Sequence, residues 1–245
     1  MATSASLGST LTEQADSAYN NEDYRMAIRL YLRTINEQGF SPEVYYNLAN
    51  AYYRIDELGK AVLYYQRALN LDPSMADART NLEFVKTKIA DRPEDYSTFL
   101  TNVHENIMAT YSPDTWAWIA FALFALLIGS IAVYIFTSNV MLRKTGFFGA
   151  IILLLLTVYA SVIAWQSAAA YKGSNKAVVT VPTANLRTRP GENITDKVIP
   201  IHEGTVIEIT DSMTMPGESA AVKWYDVKIF NSTRAWIKAS DVEKI

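Results

Sequence analysis

The sequence predicts a multidomain membrane protein in three parts: an α-helical repeat solenoid, a two-helix transmembrane hairpin and a small all-β barrel. Three observations predict it. Two apolar runs of about 20 residues, WAWIAFALFALLIGSIAVYIF and FFGAIILLLLTVYASVIAWQ, carry no charge and are long enough to cross a bilayer as helices. Ahead of them, AIRLYLRT and AVLYYQRA recur at an offset of about 34 residues, the period of a two-helix repeat. Behind them, short alternating runs (AVVTV, KVIPI, TVIEIT, WYDVKIF, AWIKA) are separated by turns rich in Gly, Pro and Asn, the pattern of a small closed barrel. The expected boundaries are 1–93 for the repeats with a capping helix and 94–112 for an amphipathic connecting helix. The hairpin is expected over 113–171, with spans at about 116–136 and 147–166, and the barrel over 176–245.

Composition narrows the function. The net charge is −3 and no run of Lys and Arg is present, so nucleic acid is not an expected partner. Cys is absent, which excludes disulfides, thiol chemistry and Cys-ligated zinc. No nucleophile–base pair, phosphate loop or cluster of metal ligands is visible, so no enzyme activity, cofactor, metal or small-molecule substrate is expected.

The repeats come first. The same offset pairs Ala15 with Ala49, Tyr31 with Tyr65, and Asn47-Leu48 with Asn81-Leu82. In the second unit, Leu48, Ala49, Tyr52, Ala61, Tyr65, Ala68 and Pro73 resemble the tetratricopeptide consensus. Small residues sit where two helices cross, large ones fill the gap to the next unit, and Pro73 breaks the chain. The first unit is weaker, with Gln14 for Leu and Thr34 for Ala. In the third, Glu83 and Lys86 give the polar face of a capping helix. Such arrays bind rather than catalyse. The expected peptide- or partner-binding residues of the concave face are Tyr46, Asn47, Asn50, Tyr53, Arg54 and Asn81, because amides both donate to and accept from an extended backbone. The competing reading is that these are solvated helix residues or bridges to neighbouring turns.

In the connecting segment, Phe99, Val103, Ile107 and Met108 share one helical face that lacks the basic residues of a membrane-surface helix, so packing on protein is expected. His104 reads as a polar-face residue.

Ser112-Pro113-Asp114 starts the first span with a cap, a proline and an acid at the positive helix end. Trp116, Trp118 and Trp165 suit the headgroup layer. The break TSNVMLRKTG is too short for a domain, so the flanking domains lie on one side. Arg143 and Lys144 are the topology determinants and place the break in the cytosol, leaving the flanks periplasmic in a bacterial inner membrane. The start MATSASLGSTLTEQ has no basic n-region and no apolar core, so the expectation is a mature or re-engineered form without its signal peptide. Small residues line up as Ala125, Gly129, Ala132 and as Ala160, Ala164, Ala168. These packing residues serve either the contact between the spans or a partner's helix.

In the last third, Asn185-Leu186-Arg187, Glu203-Gly204-Thr205, Trp224-Tyr225-Asp226-Val227 and Ala235-Trp236-Ile237 resemble the strands and turns of the bacterial SH3-like domain. Leu186, Gly204, Trp224 and Trp236 are its expected structural residues, while His202 reads as a loop residue. The order of repeats, hairpin with RKTGFF and barrel resembles the Bat aerotolerance operon family, in particular its E-type members. That resemblance implies an inner-membrane scaffold that binds other membrane or periplasmic proteins. It would work beside von Willebrand A-domain subunits and a MoxR-type ATPase in stress tolerance. The alternative is a cell-wall adaptor whose SH3-like domain binds peptidoglycan.

Overall fold

The computed structural model describes residues 2–91, 103, 104, 107, 108, 110–172, 175–191, 199–216, 221–229 and 233–245. The chain divides into two compact units. One joins Met1–Tyr96 to Asn175–Ile245, and the other is Ser97–Ser174.

The first unit begins with antiparallel helix pairs: α1 (Ala2–Asn20), α2 (Tyr24–Gln38), α3 (Pro42–Arg54) and α4 (Leu58–Leu71), followed by α5 (Ala76–Lys86). Local chemistry sets the ends. Ser41 caps α3, accepting from the Val44 amide at 3.2 Å, with Pro42 in the first turn and Glu43 beside the positive helix end. Asp23 caps α2 in the same way, accepting from Met26 at 3.0 Å. Gly39, at φ +96°, ends α2. The turns inside the two pairs place Glu22 at φ 61° and Asp56 at φ 62°, so the repeat in sequence is a repeat in backbone geometry.

The core follows the expected small-and-large pattern. Leu48, Ala49, Ala61, Tyr65 and Ala68 are buried, and Tyr52 stacks on Tyr64 with ring centroids 5.4 Å apart. Truncating a side chain as enclosed as Leu48 costs about 3 kcal/mol. Buried Thr34, standing where Ala is usual, returns its hydroxyl to the Leu30 carbonyl at 3.0 Å. Glu83 and Lys86 pair at 2.8 Å on the outer side of α5.

The strands are β1 (Lys176–Val179), β2 (Thr183–Leu186), β3 (Ile199–His202), β4 (Val206–Met215), β5 (Val222–Ile229), β6 (Thr233–Lys238) and β7 (Val242–Lys244). Five form an antiparallel sheet ordered β6-β5-β4-β1-β7, with a register shift between Ile209 and Asp211, and β2 pairs with β3. Arg187 and Trp236 exchange backbone hydrogen bonds at 2.9 and 2.7 Å and stitch the two sheets together. Leu186, Ile207, Tyr225, Val227 and Ile237 fill the space between them.

β1 has both faces covered. Ala177 and Val179 belong to the core of the sheets, whereas Val178 is buried in the core of the repeats with Leu63 and Leu82. Two glycines permit that approach. A Cβ on Gly59 would come within 2.7 Å of the Val179 carbonyl oxygen, and one on Gly204 within 2.6 Å of Ile89. Gly204 also has φ +83°, a value that favours glycine. Arg67 reaches the Lys244 carbonyl at 2.5 Å while lying over the Tyr64 ring. His202, expected in a loop, ends β3 and bonds Asp91. Its sequence neighbourhood held no sign of a partner 111 residues away.

The second unit contains α6 (Pro113–Phe136) and α7 (Val140–Lys172), both long and apolar enough to cross a membrane. Ser112 caps α6 through the Thr115 amide at 3.3 Å. The ten-residue break expected between the spans is only three residues, 137–139, because nothing from Val140 to Gly146 interrupts a helix and Asn139 accepts from the Met141 amide at 2.9 Å. Arg143 and Lys144 therefore stand on the first turns of α7. Large apolar side chains such as Phe121, Leu126, Ile135, Leu155 and Trp165 remain exposed around both helices.

Candidate partner-binding face of the repeats

A three-helix hydrogen-bond motif occurs twice. The Tyr31 hydroxyl donates to Asp16 Oδ1 at 2.5 Å, and Asn47 Nδ2 donates to the same oxygen at 3.3 Å. In the next unit the Tyr65 hydroxyl donates to Asn50 Oδ1 at 2.5 Å, and Asn81 Nδ2 donates to it at 3.1 Å. The separations within each motif are 15 and 31 residues in both copies. A carboxylate or amide oxygen has two lone pairs and satisfies both donors. Each motif thus ties the two helices of one unit to the first helix of the next. Burial, and then the neighbouring Asp16, pushes the Tyr31 hydroxyl well above its ordinary pKa. Burial does the same to Tyr65, against a smaller opposing effect of the Asn81 amide. Both phenols stay protonated donors.

These motifs border a polar cavity of about 300 Å³ lined by Asp16, Tyr19, Asn20, Tyr31, Asn47 and Asn50. Of the expected face, Asn47 and Asn50 line it. Asn81 lies beside it, bonded to Asn50 and, at 3.3 Å, to the Tyr46 hydroxyl. Tyr53 accepts from Lys88 Nζ at 2.6 Å, away from the cavity. Arg54 stacks over Tyr24 at 4.6 Å and hydrogen-bonds Tyr19. The amides read as ligand groups are thus also bridges between helices, because Asn47 and Asn81 each come to rest opposite a Tyr–Asx pair and Asn50 is the acceptor in one of them. Asp16, Tyr19 and Asn20 escaped sequence reading, and Tyr31 was read only as the repeat counterpart of Tyr65. The repeat offset of about 34 residues, applied backwards from Asn50 and Tyr53, lands on Asp16 and Tyr19.

Elsewhere, the small-residue stripes separate. Ala160 is buried, and Ala164 and Ala168 are half-buried, whereas Ala125 and Gly129 are exposed and a Cβ on Gly129 would meet nothing within 4 Å. The close approach of α6 to α7 is one helical step away. Ser130 Oγ donates to the Gly146 carbonyl at 2.9 Å, and a Cβ on Gly146 would meet the Tyr134 amide nitrogen at 2.8 Å. Ala132 is half-buried. Helical spacing finds stripes of small residues but not which stripe faces the neighbour.

His104 lies against α7, 2.8 Å from Gln166 and 3.3 Å from the Tyr159 hydroxyl. Val103, Ile107 and Met108 are described, while Phe99 and most of the connecting segment fall outside the described residues. In the sheets Leu186 is buried. Trp224 is buried under the Arg187 guanidinium at 5.1 Å, and Trp236 is half-buried. No group of three or more His, Asp or Glu residues that could hold a metal occurs among the described residues.

Residues 42–75 match the tetratricopeptide repeat family. They coincide with α3, α4 and the turn beyond. Repeats of this kind generally mediate protein–protein interactions. No curated protein matches the chain.

Proposed function

We propose that this chain is a non-enzymatic, membrane-anchored scaffold whose repeats hold an extended segment of a partner protein. The observation that carries the proposal is the polar cavity between Asp16 and Asn50, set in a helical array of a protein-binding kind. Both donors to Asp16 fall on Oδ1, which leaves Oδ2 for a ligand. Amide and phenol groups beside it suit a peptide backbone.

In this reading α6 and α7 cross the inner membrane as a hairpin, supported by their length, their exposed apolar side chains and Trp118 and Trp165 near their ends. Arg143 and Lys144 favour a cytosolic turn, with repeats and sheets periplasmic. The repeats form a short solenoid, and the strands form an SH3-like barrel, a reading supported by the Arg187–Trp236 pairing of the two sheets. In this reading the domains are 1–93, 94–112, 113–171 and 176–245. The order of parts favours a place among the Bat stress-tolerance proteins, with von Willebrand A-domain subunits as partners.

Affinity purification in mild detergent tests the central claim. An Asp16→Asn/Asn20→Ala variant keeps the structural acceptor at position 16, as Asn50 does in the next unit. It should melt normally and lose the proteins that co-purify with the natural chain. Normal melting with full recovery would remove the cavity as the docking site.

A further inference from the structure

The turn end of the hairpin carries two adjoining cavities of different chemistry. One, of about 360 Å³, is lined by Tyr134, Val140, Arg143, Lys144, Phe147 and Phe148. The other, of about 240 Å³, shares Tyr134 and Phe147 with it and continues along Leu127, Ile131, Ile151 and Leu154. The first ends in two cations and the second is lined almost wholly by carbon. Arg143 is held over the Tyr134 ring at 5.8 Å, which sets its guanidinium at the junction. Among the described residues of this unit the one acid is Asp114, roughly 30 Å back along α6 from Tyr134. The two charges therefore have no carboxylate to pair with inside the hairpin.

We infer that this pair of cavities binds one anionic phospholipid, its phosphate between Arg143 and Lys144 and the start of an acyl chain in the groove between α6 and α7. The inference rests on the hairpin crossing a membrane. Charge decides the headgroup: a phosphodiester with no compensating cation meets two unpaired cations, and an Arg fork suits phosphate oxygens. A zwitterionic choline headgroup brings its own positive charge and gains less. Shape decides that the ligand is a lipid and not a free phosphate ester. The apolar groove continues directly from the basic site, and burying methylenes there adds to binding in proportion to the area covered.

The test uses the full chain purified in mild detergent, with dioleoylphosphatidylglycerol and dioleoylphosphatidylcholine as probes and native mass spectrometry as readout. The natural chain should retain one phosphatidylglycerol per chain at roughly tenfold lower lipid concentration than phosphatidylcholine. Arg143→Gln/Lys144→Gln should bind the two lipids alike. Ile151→Trp, which fills the groove and keeps both cations, should lose the bound phosphatidylglycerol. Arg143→Lys/Lys144→Arg, which keeps the charge, should retain the preference and guards against a folding defect. Glycerol 1-phosphate should not displace the lipid at a hundredfold excess. Equal retention of both lipids by the natural chain, a preference surviving the double Gln change, or displacement by glycerol phosphate would each overturn the inference. Extraction of cell membranes with alkaline carbonate separates this from the underlying reading. Release of the chain would mean that the hairpin does not span, whereas retention without lipid preference would refute the lipid site alone.

Discussion

Asp91 and His202, 111 residues apart in the chain, meet with 2.9 Å between Oδ1 and Nδ1. The other Asp91 oxygen accepts from the His202 amide at 2.5 Å and from the Thr205 hydroxyl at 3.0 Å. A carboxylate only accepts, so the fitting imidazole tautomer carries its proton on Nδ1. One side chain beyond the last repeat helix thus gathers three donors, two from His202 at the end of β3 and one from Thr205 in the turn that follows. Next to it, Glu203 accepts from the Gly59 amide at 3.1 Å.

This contact predicts a pH dependence. Burial pushes the Asp91 carboxyl up, but the bonds from His202 and Thr205 together outweigh it and hold the group below its ordinary range. A carboxyl depressed in the folded state adds stability above its unfolded pKa, near 3.9, and loses it as pH falls through the lower folded value. Below about pH 4 the natural chain should lose melting temperature faster than Asp91→Asn. At neutral pH, Asp91→Ala should cost about 2 kcal/mol. Parallel melting curves for Asp91→Asn and the natural chain between pH 3 and 7 would show that the contact is not formed in solution.

Gly59→Ala separates helix propensity from packing. Inside an exposed helix the change would stabilise by about 1 kcal/mol. Here the new Cβ meets the Val179 carbonyl oxygen, a backbone atom that cannot swing aside. The expected outcome is a loss of about 1–3 kcal/mol in chemical denaturation. A gain would mean that β1 does not lie against α4.

The repeated hydrogen-bond motif changes what amide substitution should do. Asn50→Ala/Asn81→Ala removes the acceptor of Tyr65 and the donor that bridges to α5, so melting should fall, by about 2 kcal/mol in all. Tyr65→Phe combined with Asn50→Ala should cost less than the sum of the two single changes, since each alone breaks the same bond. Additive costs would refute the Tyr65–Asn50 bond.

In the hairpin, Gly146→Leu should disrupt the pair, because its side chain would meet the Ser130 carbonyl and Tyr134 amide of α6. Gly129→Leu should leave the pair intact, having open space around it. Helix-pair stability in detergent micelles, followed by circular dichroism on heating, distinguishes them. Equal effects would place the contact elsewhere.

Topology is testable because the chain has no Cys. A cysteine introduced by Ser138→Cys, between α6 and α7, should resist an impermeant thiol reagent in intact spheroplasts. One introduced by Ser240→Cys, in the exposed turn before β7, should react. Reversed labelling would invert the proposed orientation.

Local periodicity made the helical repeats, the two apolar helices and the strand-rich C-terminal third legible, because residue spacing and run length are properties of the chain itself. The cap at Ser112 was legible for the same reason: it bonds an amide three residues away. What lies opposite a given face is not a local property. The spacing of Ala125 and Gly129 announces a stripe of small residues, yet only the rotation of α6 against α7 decides that Ser130 and Gly146 touch instead. Asn47 and Asn81 are polar at helical spacing in any reading, and only the arrival of Tyr31 and Tyr65 beside Asp16 and Asn50 makes them bridges. Val178 reads as the outward residue of an alternating strand. It is buried because α4, more than a hundred residues earlier in the chain, covers that face, and no local pattern records a neighbour so distant.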